Sequence, residues 1–180
     1  KFDAKGRIVS TQVHSGEVLR IDPQTGERTV LAKLTPGLDN LTLSGDRLFV
    51  SNINGQISEV LASGDTRTVL PVGLNWPLDL AVGDGQLYVA DGTNLYVLAR
   101  GGALRSVGNL FSLNYPGFVR GILSAGKGEL VVTTSGGLVA RYRPAASEMD
   151  VLAHGYDQLY GVARAPNGTV VVAELRTGRL

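Results

Sequence analysis

Carboxylate and amide side chains recur at one point of a repeating pattern, where a repeat begins its first strand. Asp39 and Asn40 hold this point in one repeat, and Asp79 holds it in the next. Their oxygen atoms are of the kind that hard divalent cations prefer, so these three residues are candidate ligands for a cation such as Ca²⁺. The alternative is a channel lined by polar side chains without an ion, because channel water satisfies such groups equally well.

Two histidines and one arginine are the candidates for catalytic chemistry. His14 and His154 are the only histidines of the chain, and a histidine exchanges a proton near neutral pH. Arg120 begins a first strand in a later repeat, and it completes the predicted catalytic set. A solvated position in a turn is the alternative explanation for each histidine.

Large aromatic residues collect on or beside the segments that connect one repeat to the next. The only tryptophan is among them, and two of the segments share an asparagine–aromatic–proline order. An aromatic rim of this kind suits a small organic ligand, whereas rings that wedge between neighbouring sheets are the alternative. The predicted ligand-binding residues are Trp76, Tyr115, Phe118, Tyr156 and Tyr160.

The elements that position these residues follow from a repeat of about 40 residues. A phrase of a turn residue followed by a short apolar strand begins its apolar part at Ile8, Leu48, Leu87, Leu130 and Val170. Each full repeat holds four short strands separated by turns rich in Gly, Asn and Asp. This pattern predicts an all-β fold, a β-propeller of four-stranded antiparallel blades. The chain holds four to five blades of a propeller expected to have six, and a β-sandwich with accidental regularity is the alternative.

The expected organisation is a single propeller domain or fragment over residues 1–180. Its blades are predicted at about 1–37, 38–77, 78–117 and 118–158, with a partial blade at 159–180 that ends in a third strand. An incomplete set of blades leaves open edges. We therefore expect either a longer chain or self-association across those edges.

Propeller topology also predicts where a site lies. The connectors between blades and the turns after each second strand share one face, and propellers place binding and catalysis there. Asn52, Asp91 and Glu174 end second strands at matching positions, which indicates side chains that cap the following turns.

Composition narrows the classes of partner. The chain of 180 residues is 43% hydrophobic and 18% charged, with a net charge of +1 and no cysteine. The chain has no concentrated basic segment that would favour nucleic-acid binding, and no apolar run with the roughly 20 residues of a membrane helix. Without cysteine, neither disulfides nor thiolate metal sites are possible. We expect a soluble protein, either cytoplasmic or periplasmic or secreted.

Three phrases carry a resemblance to a known superfamily: Pro36–Leu41, Gly85–Asp91 and Gly161–Val170. They resemble blades of the regucalcin/gluconolactonase superfamily, and strictosidine synthase-like and NHL-repeat propellers share the same pattern. The lactonase branch implies a divalent cation held by a Glu, an Asn and an Asp at inner-strand starts, and Asp39 matches one of those positions. The following blades carry Leu78, Arg120 and Tyr160 there.

Two functions follow from these observations. The first is a binding module that presents the face around the channel mouth to a small ligand, a glycan or a protein. The second, implied by the resemblance, is a metal-dependent hydrolase of a lactone or small ester. A similarity to streptogramin lyases, which use a histidine on this face, points to His14 or His154.

Overall fold

A computed structural model describes residues 1–99 and 101–180. These residues form β-strands and turns, and they contain no helix able to cross a membrane. The chain folds into two compact units, Lys1–Leu80 and Ala81–Leu180.

The first unit contains two complete antiparallel sheets, each with its strands in chain order. Sheet 1 has three strands and sheet 2 has four. The strands of sheet 1 are β1 (Ile8–Thr11), β2 (Glu17–Ile21) and β3 (Arg28–Lys33), and those of sheet 2 are β4 (Leu38–Ser44), β5 (Arg47–Asn52), β6 (Ile57–Val60) and β7 (Thr66–Leu70).

Three further sheets follow, and the first strand of sheet 3 crosses from the first unit into the second. Sheets 3 and 4 have four strands each, and sheet 5 has two. Sheet 3 has β8 (Pro77–Gly83), β9 (Gln86–Asp91), β10 (Asn94–Leu98) and β11 (Leu104–Asn109); sheet 4 has β12 (Val119–Gly126), β13 (Glu129–Thr134), β14 (Val139–Arg143) and β15 (Glu148–Ala153); sheet 5 has β16 (Leu159–Arg164) and β17 (Val170–Glu174).

Tight turns join the first strand of a sheet to the second. Gly45, Gly85 and Gly128 occupy these turns with positive φ angles of 59°, 74° and 73°. Glycine adopts this conformation without the steric cost of a Cβ atom, which explains why a glycine recurs just before each second strand.

Apolar residues of neighbouring sheets meet inside each unit. In the first unit, Val9 and Val18 of sheet 1 share a buried cluster with Leu41, Leu48 and Val60 of sheet 2. The sheets are therefore held together by burial of their facing sides, since removing apolar surface from water is the main favourable term in folding. The outermost strands are more exposed, and Thr66, Arg67 and Thr68 of β7 face solvent.

The second unit packs in the same way. Val131 and Val139 of sheet 4 cluster with Leu159 of sheet 5. Between sheets 3 and 4, the buried hydroxyl of Tyr142 donates a hydrogen bond to the backbone oxygen of Val107.

A third strand at the end of the chain was predicted, and this prediction is wrong. Glu174 is followed by a turn, and residues 175–180 are outside any strand. The Glu174 carboxylate accepts hydrogen bonds from the Thr177 hydroxyl and from Arg179 Nε. Backbone bonds between Glu174 and Arg179 (3.0 Å) and from Gly178 N to Glu174 O (3.1 Å) close the turn.

Candidate functional site

Two kinds of segment meet on one face in each unit, as the sequence predicted. We call this the loop face: it consists of the turns after each second strand, the connectors that lead to the next sheet, and the strand ends that they join. In the three-stranded sheet 1, β1 corresponds to the second strand of the four-stranded sheets. In the first unit, Gly37 N donates to Val13 O at 2.7 Å and Ile53 N donates to Gly37 O at 2.9 Å. In the second unit, Ser135 N donates to Phe118 O at 2.9 Å and Leu175 N to Gln158 O at 3.0 Å. Backbone hydrogen bonds thus fix turns and connectors against each other.

Polar side chains at the ends of second strands strengthen these ties. Asn52 Nδ2 donates to Thr35 O and Pro36 O at 3.0 and 3.2 Å, and Glu174 Oε1 accepts from Asp157 N at 2.9 Å. The hydrogen bonds from the Thr177 hydroxyl and Asp157 N lower the pKa of Glu174, although burial opposes them. The predicted capping role is confirmed for Asn52, whose Oδ1 accepts a hydrogen bond from Asn54 N of the following turn at 3.0 Å. Glu174 instead binds its following turn through the side chains of Thr177 and Arg179.

The candidate site residues at strand starts occupy irregular pairings. The register between β4 and β5 shifts between Leu38 and Leu41, and that between β16 and β17 shifts between Leu159 and Val162. The pairing of β12 with β13 shifts across Arg120 in the same way. A bulge redirects the side chains it contains, so these positions are suited to placing functional groups.

The candidate metal ligands lie in the first unit and are engaged with protein groups. Asp79, 4% exposed, accepts hydrogen bonds from Lys1 Nζ at 3.1 Å and from Leu80 N at 2.8 Å through the same carboxylate oxygen. Lys1 Nζ also donates to Leu80 O at 3.0 Å. The lysine ammonium therefore occupies a position beside Asp79 that a cation would need.

Asn40 is committed to the backbone at both ends of its amide. Its Oδ1 accepts from Leu41 N at 2.8 Å, and its Nδ2 donates to Leu78 O at 3.1 Å. No group of three His, Cys, Asp or Glu able to hold a metal occurs among the described residues. A calcium ion requires six to eight converging oxygens, so Asn40 and Asp79 fit a metal poorly as they are arranged: Lys1 would have to leave and Asn40 to rotate.

Three predicted residues come together on the loop face of the second unit. The Arg120 guanidinium carbon lies 5.0 Å from the centre of the Tyr160 ring and 5.9 Å from that of Phe118. A guanidinium within about 6 Å of a ring face is attracted by the ring's electrons. Phe118 is 42% exposed and Tyr160 48% exposed, so both rings retain surface for a ligand.

A second pair lies on the two connectors of this unit. The rings of Tyr115 and His154 have centroids 5.3 Å apart and planes inclined by 43°. His154 is exposed, and Tyr156 follows two residues later at 38% exposure. This pair offers an imidazole and a phenol at the surface, which can bind a ligand by stacking and hydrogen bonding.

A double-glycine turn lies against both connectors. A Cβ atom at Gly136 would lie 2.1 Å from Pro116 O, and one at Gly137 would lie 2.0 Å from Tyr156 O. Ser135 Oγ accepts a hydrogen bond from Phe118 N at 2.9 Å. The sequence analysis missed these residues, although two consecutive glycines after a second strand were a visible sign of close backbone approach.

His14 and Trp76 lie on the loop face of the first unit. His14 is an exposed residue in the turn between β1 and β2. Trp76 lies in the connector between β7 and β8 and is 40% exposed, so the indole is only partly covered.

Comparisons with solved structures agree on the fold. The chain matches a chain of a nidogen/laminin complex with a TM-score of 0.76 and 18% identity, covering 99% of this chain and 75% of that one. A gluconolactonase-family protein matches with a TM-score of 0.76 and 17% identity, over 95% of this chain and 68% of that one. The chain is built of β-propeller blades. The predicted fold class is confirmed.

A third similar structure is much longer than this chain. The extracellular domain of a one component system from B. thetaiotaomicron matches with a TM-score of 0.68 and 15% identity, over 96% of this chain and 24% of that one. No protein-family profile matches the chain, and a search of curated proteins finds no match. Identities at this level establish the fold alone.

Proposed function

We propose that the chain is a non-catalytic binding module whose loop face in the second unit contacts a protein or peptide. The observation that carries this proposal is the gathering of half-exposed aromatic side chains on or directly beside two connectors that are tied to one turn. Phe118, Tyr156 and Tyr160 each expose between 38% and 48% of their surface. Aromatic residues and arginine dominate the energetically important positions of protein interfaces.

The apolar surface extends beyond the rings. Phe111 and Leu113 lie on the same connector as Tyr115, and they are 54% and 88% exposed. Contiguous exposed apolar surface on a soluble protein marks interaction sites. An extended surface of this kind favours a macromolecular partner over a small ligand, which normally requires a concave pocket.

The connectors are also held in position before any ligand arrives. The bonds from Phe118 N to Ser135 Oγ and from Ser135 N to Phe118 O, both 2.9 Å, anchor one connector. The bond between Tyr156 N and Gly137 O, at 3.4 Å, ties the other to the same turn. Preorganisation lowers the entropy lost on binding, so this support favours a binding role.

The structural neighbours are consistent with such a role. One neighbour was solved as part of a nidogen/laminin complex, that is, in association with a protein. This is a property of that protein, and it supports the present proposal only by showing that blades of this type are found in protein complexes.

Selection of displayed random peptides against the intact chain tests the proposal. We expect the enriched peptides to bind the native chain and to lose at least tenfold in affinity for the double variant Tyr115→Ser, Tyr160→Ser. The matched control is Val151→Ser, Leu152→Ser, since both residues are 45–46% exposed on β15 in the same unit. If the peptides bind the double tyrosine variant as tightly as they bind the control variant, the proposed location of the binding face is refuted.

A lactone or ester hydrolase is the second candidate, and one observation favours it: a gluconolactonase-family structure matches 95% of the chain. Under that hypothesis Asp39, Asn40 and Asp79 would bind Ca²⁺, and His14, His154 or Arg120 would assist the chemistry. Calorimetric titration with Ca²⁺ and an assay with a δ-lactone separate the candidates. The binding-module proposal expects no saturable Ca²⁺ binding and no hydrolysis, whereas hydrolysis abolished by Asp79→Asn would establish the alternative.

A further inference from the structure

A cleft lies in the first unit at the ends of the strands opposite its loop face. It has a volume of about 300 Å³ and is bordered by the turn at residues 3–7, the turn between β4 and β5, and the turn between β6 and β7. This volume is at the lower end of the range for small-molecule sites. None of the residues discussed above as site candidates lines it.

The floor of the cleft is apolar and continuous with the core of the unit. Val9, Leu48 and Val60 are 1–4% exposed and belong to the cluster between sheets 1 and 2. Leu31 and Leu43 pack against this cluster and also line the cleft. A hydrocarbon group placed here would leave water and contact these side chains.

The rim carries more positive than negative charge. Lys5, Arg7 and Arg20 line the cleft together with Asp3 and Asp46. These side chains sum to one net positive charge, because three are cationic and two are anionic.

Asp3 mainly accepts hydrogen bonds from residues of its own turn. Its Oδ1 accepts from Lys5 N at 2.9 Å and Arg7 N at 3.0 Å, and its Oδ2 accepts from Arg7 Nε at 2.9 Å. Although burial opposes ionisation, these bonds from Arg7 and Lys5 lower the pKa of Asp3. The carboxylate therefore stays ionised and neutralises Arg7 first.

Of the two arginines, Arg20 is paired less closely with Asp3 than Arg7 is. Its Nε forms an ion pair with Asp3 Oδ2 at 3.4 Å. This atom is buried and makes no hydrogen bond, whereas the side chain as a whole is 34% exposed. A guanidinium carries five N–H donors, and a ligand carboxylate offers the acceptor geometry that these donors bind best.

We propose that this cleft binds a small amphipathic anion, with a carboxylate head at Arg20 and a short hydrocarbon body over Leu31 and Leu43. The apolar floor suits the hydrocarbon body of such a molecule, and the cationic rim suits its carboxylate. Asp46 is exposed in the turn between β4 and β5, and its negative charge repels anions that carry more than one charge.

Octanoate and uncharged octanol are matched probes, and calorimetric titration of the intact chain measures both. We expect octanoate to bind saturably and at least tenfold more tightly than octanol. Arg20→Met keeps an unbranched side chain as far as the Nε position but removes the charged guanidinium, and it should weaken octanoate binding at least tenfold.

A pair of tryptophan variants keeps the test informative if Arg20→Met unfolds. Ala62 is exposed and lines the cleft, whereas Ser63 is its exposed neighbour outside the cleft. We expect Ala62→Trp to abolish octanoate binding and Ser63→Trp to leave it unchanged. The proposal is overturned if the native chain fails to bind octanoate saturably, if octanol binds equally well, or if both tryptophan variants bind like the native chain.

Discussion

Replacing Gly136 or Gly137 by alanine probes the turn that supports both aromatic connectors of the second unit. The new Cβ atoms would lie 2.1 Å from Pro116 O and 2.0 Å from Tyr156 O. Both contacts are with backbone atoms, which cannot rotate away as a side-chain end can. Since non-bonded heavy atoms prefer separations near 3.5 Å, each connector must move by about 1 Å or more.

The expected loss of stability differs between the two positions. Gly137 has a φ of +78°, so an alanine there costs about 1–2 kcal/mol for its left-handed backbone. Displacing a packed neighbour adds about 1–3 kcal/mol. We therefore expect Gly137→Ala to lower the free energy of unfolding by about 2–5 kcal/mol and Gly136→Ala by about 1–3 kcal/mol, measured by urea denaturation.

Gly168→Ala is the matched control. Gly168 has a φ of +87°, yet a Cβ atom there would meet nothing within 4 Å. This variant should lose only the backbone cost of about 1–2 kcal/mol. If Gly137→Ala is no more destabilising than Gly168→Ala, the close approach of turn and connector does not constrain the site and the reasoning is refuted.

Two further predictions concern buried polar contacts. Glu59, whose carboxylate binds Arg47 and Arg67, should contribute about 1–3 kcal/mol that Glu59→Gln removes at pH 7. The hydrogen bond from Arg47 lowers the pKa of Glu59 from its ordinary value, against the effect of burial. The stabilisation is therefore complete above the ordinary pKa of a glutamate and is lost as the pH falls through the lower pKa of the folded state. Urea denaturation from pH 7 to 3 should show a shrinking difference in unfolding free energy between the native chain and Glu59→Gln, and a constant difference would contradict this. Tyr142→Phe leaves the buried Val107 carbonyl without its donor and should cost about 1–3 kcal/mol in the same assay, a loss below about 0.5 kcal/mol being contrary to the expectation.

The repeat made most of the fold predictable from the sequence. The apolar strand starts predicted at Ile8 and Val170 are the first residues of β1 and β17, because local turn signals bound each strand. The shared face of turns and connectors followed from blade topology alone. The end of the chain was mispredicted because Glu174 closes a turn with Thr177 and Arg179, and strand propensity does not register side-chain bonds of this kind.

The site was only partly predictable. The aromatic positions were visible because they interrupt the polar connectors. The ion pair between Lys1 and Asp79 joins residues far apart in the chain, so its formation depends on tertiary packing that no local pattern encodes. The position of Arg120 against Tyr160 likewise depends on a bulge at the start of β12.

The central claim is that the loop face of the second unit binds a protein or peptide. Fluorine NMR of the chain labelled with 3-fluorotyrosine and titrated to saturation with a selected peptide tests this claim most directly. The chain has six tyrosines, and the buried Tyr88 and Tyr142 serve as internal references. We predict that the resonances of Tyr115, Tyr156 and Tyr160 shift on binding while those of the two references do not. Saturable binding that leaves all three loop-face tyrosines unshifted would contradict the account.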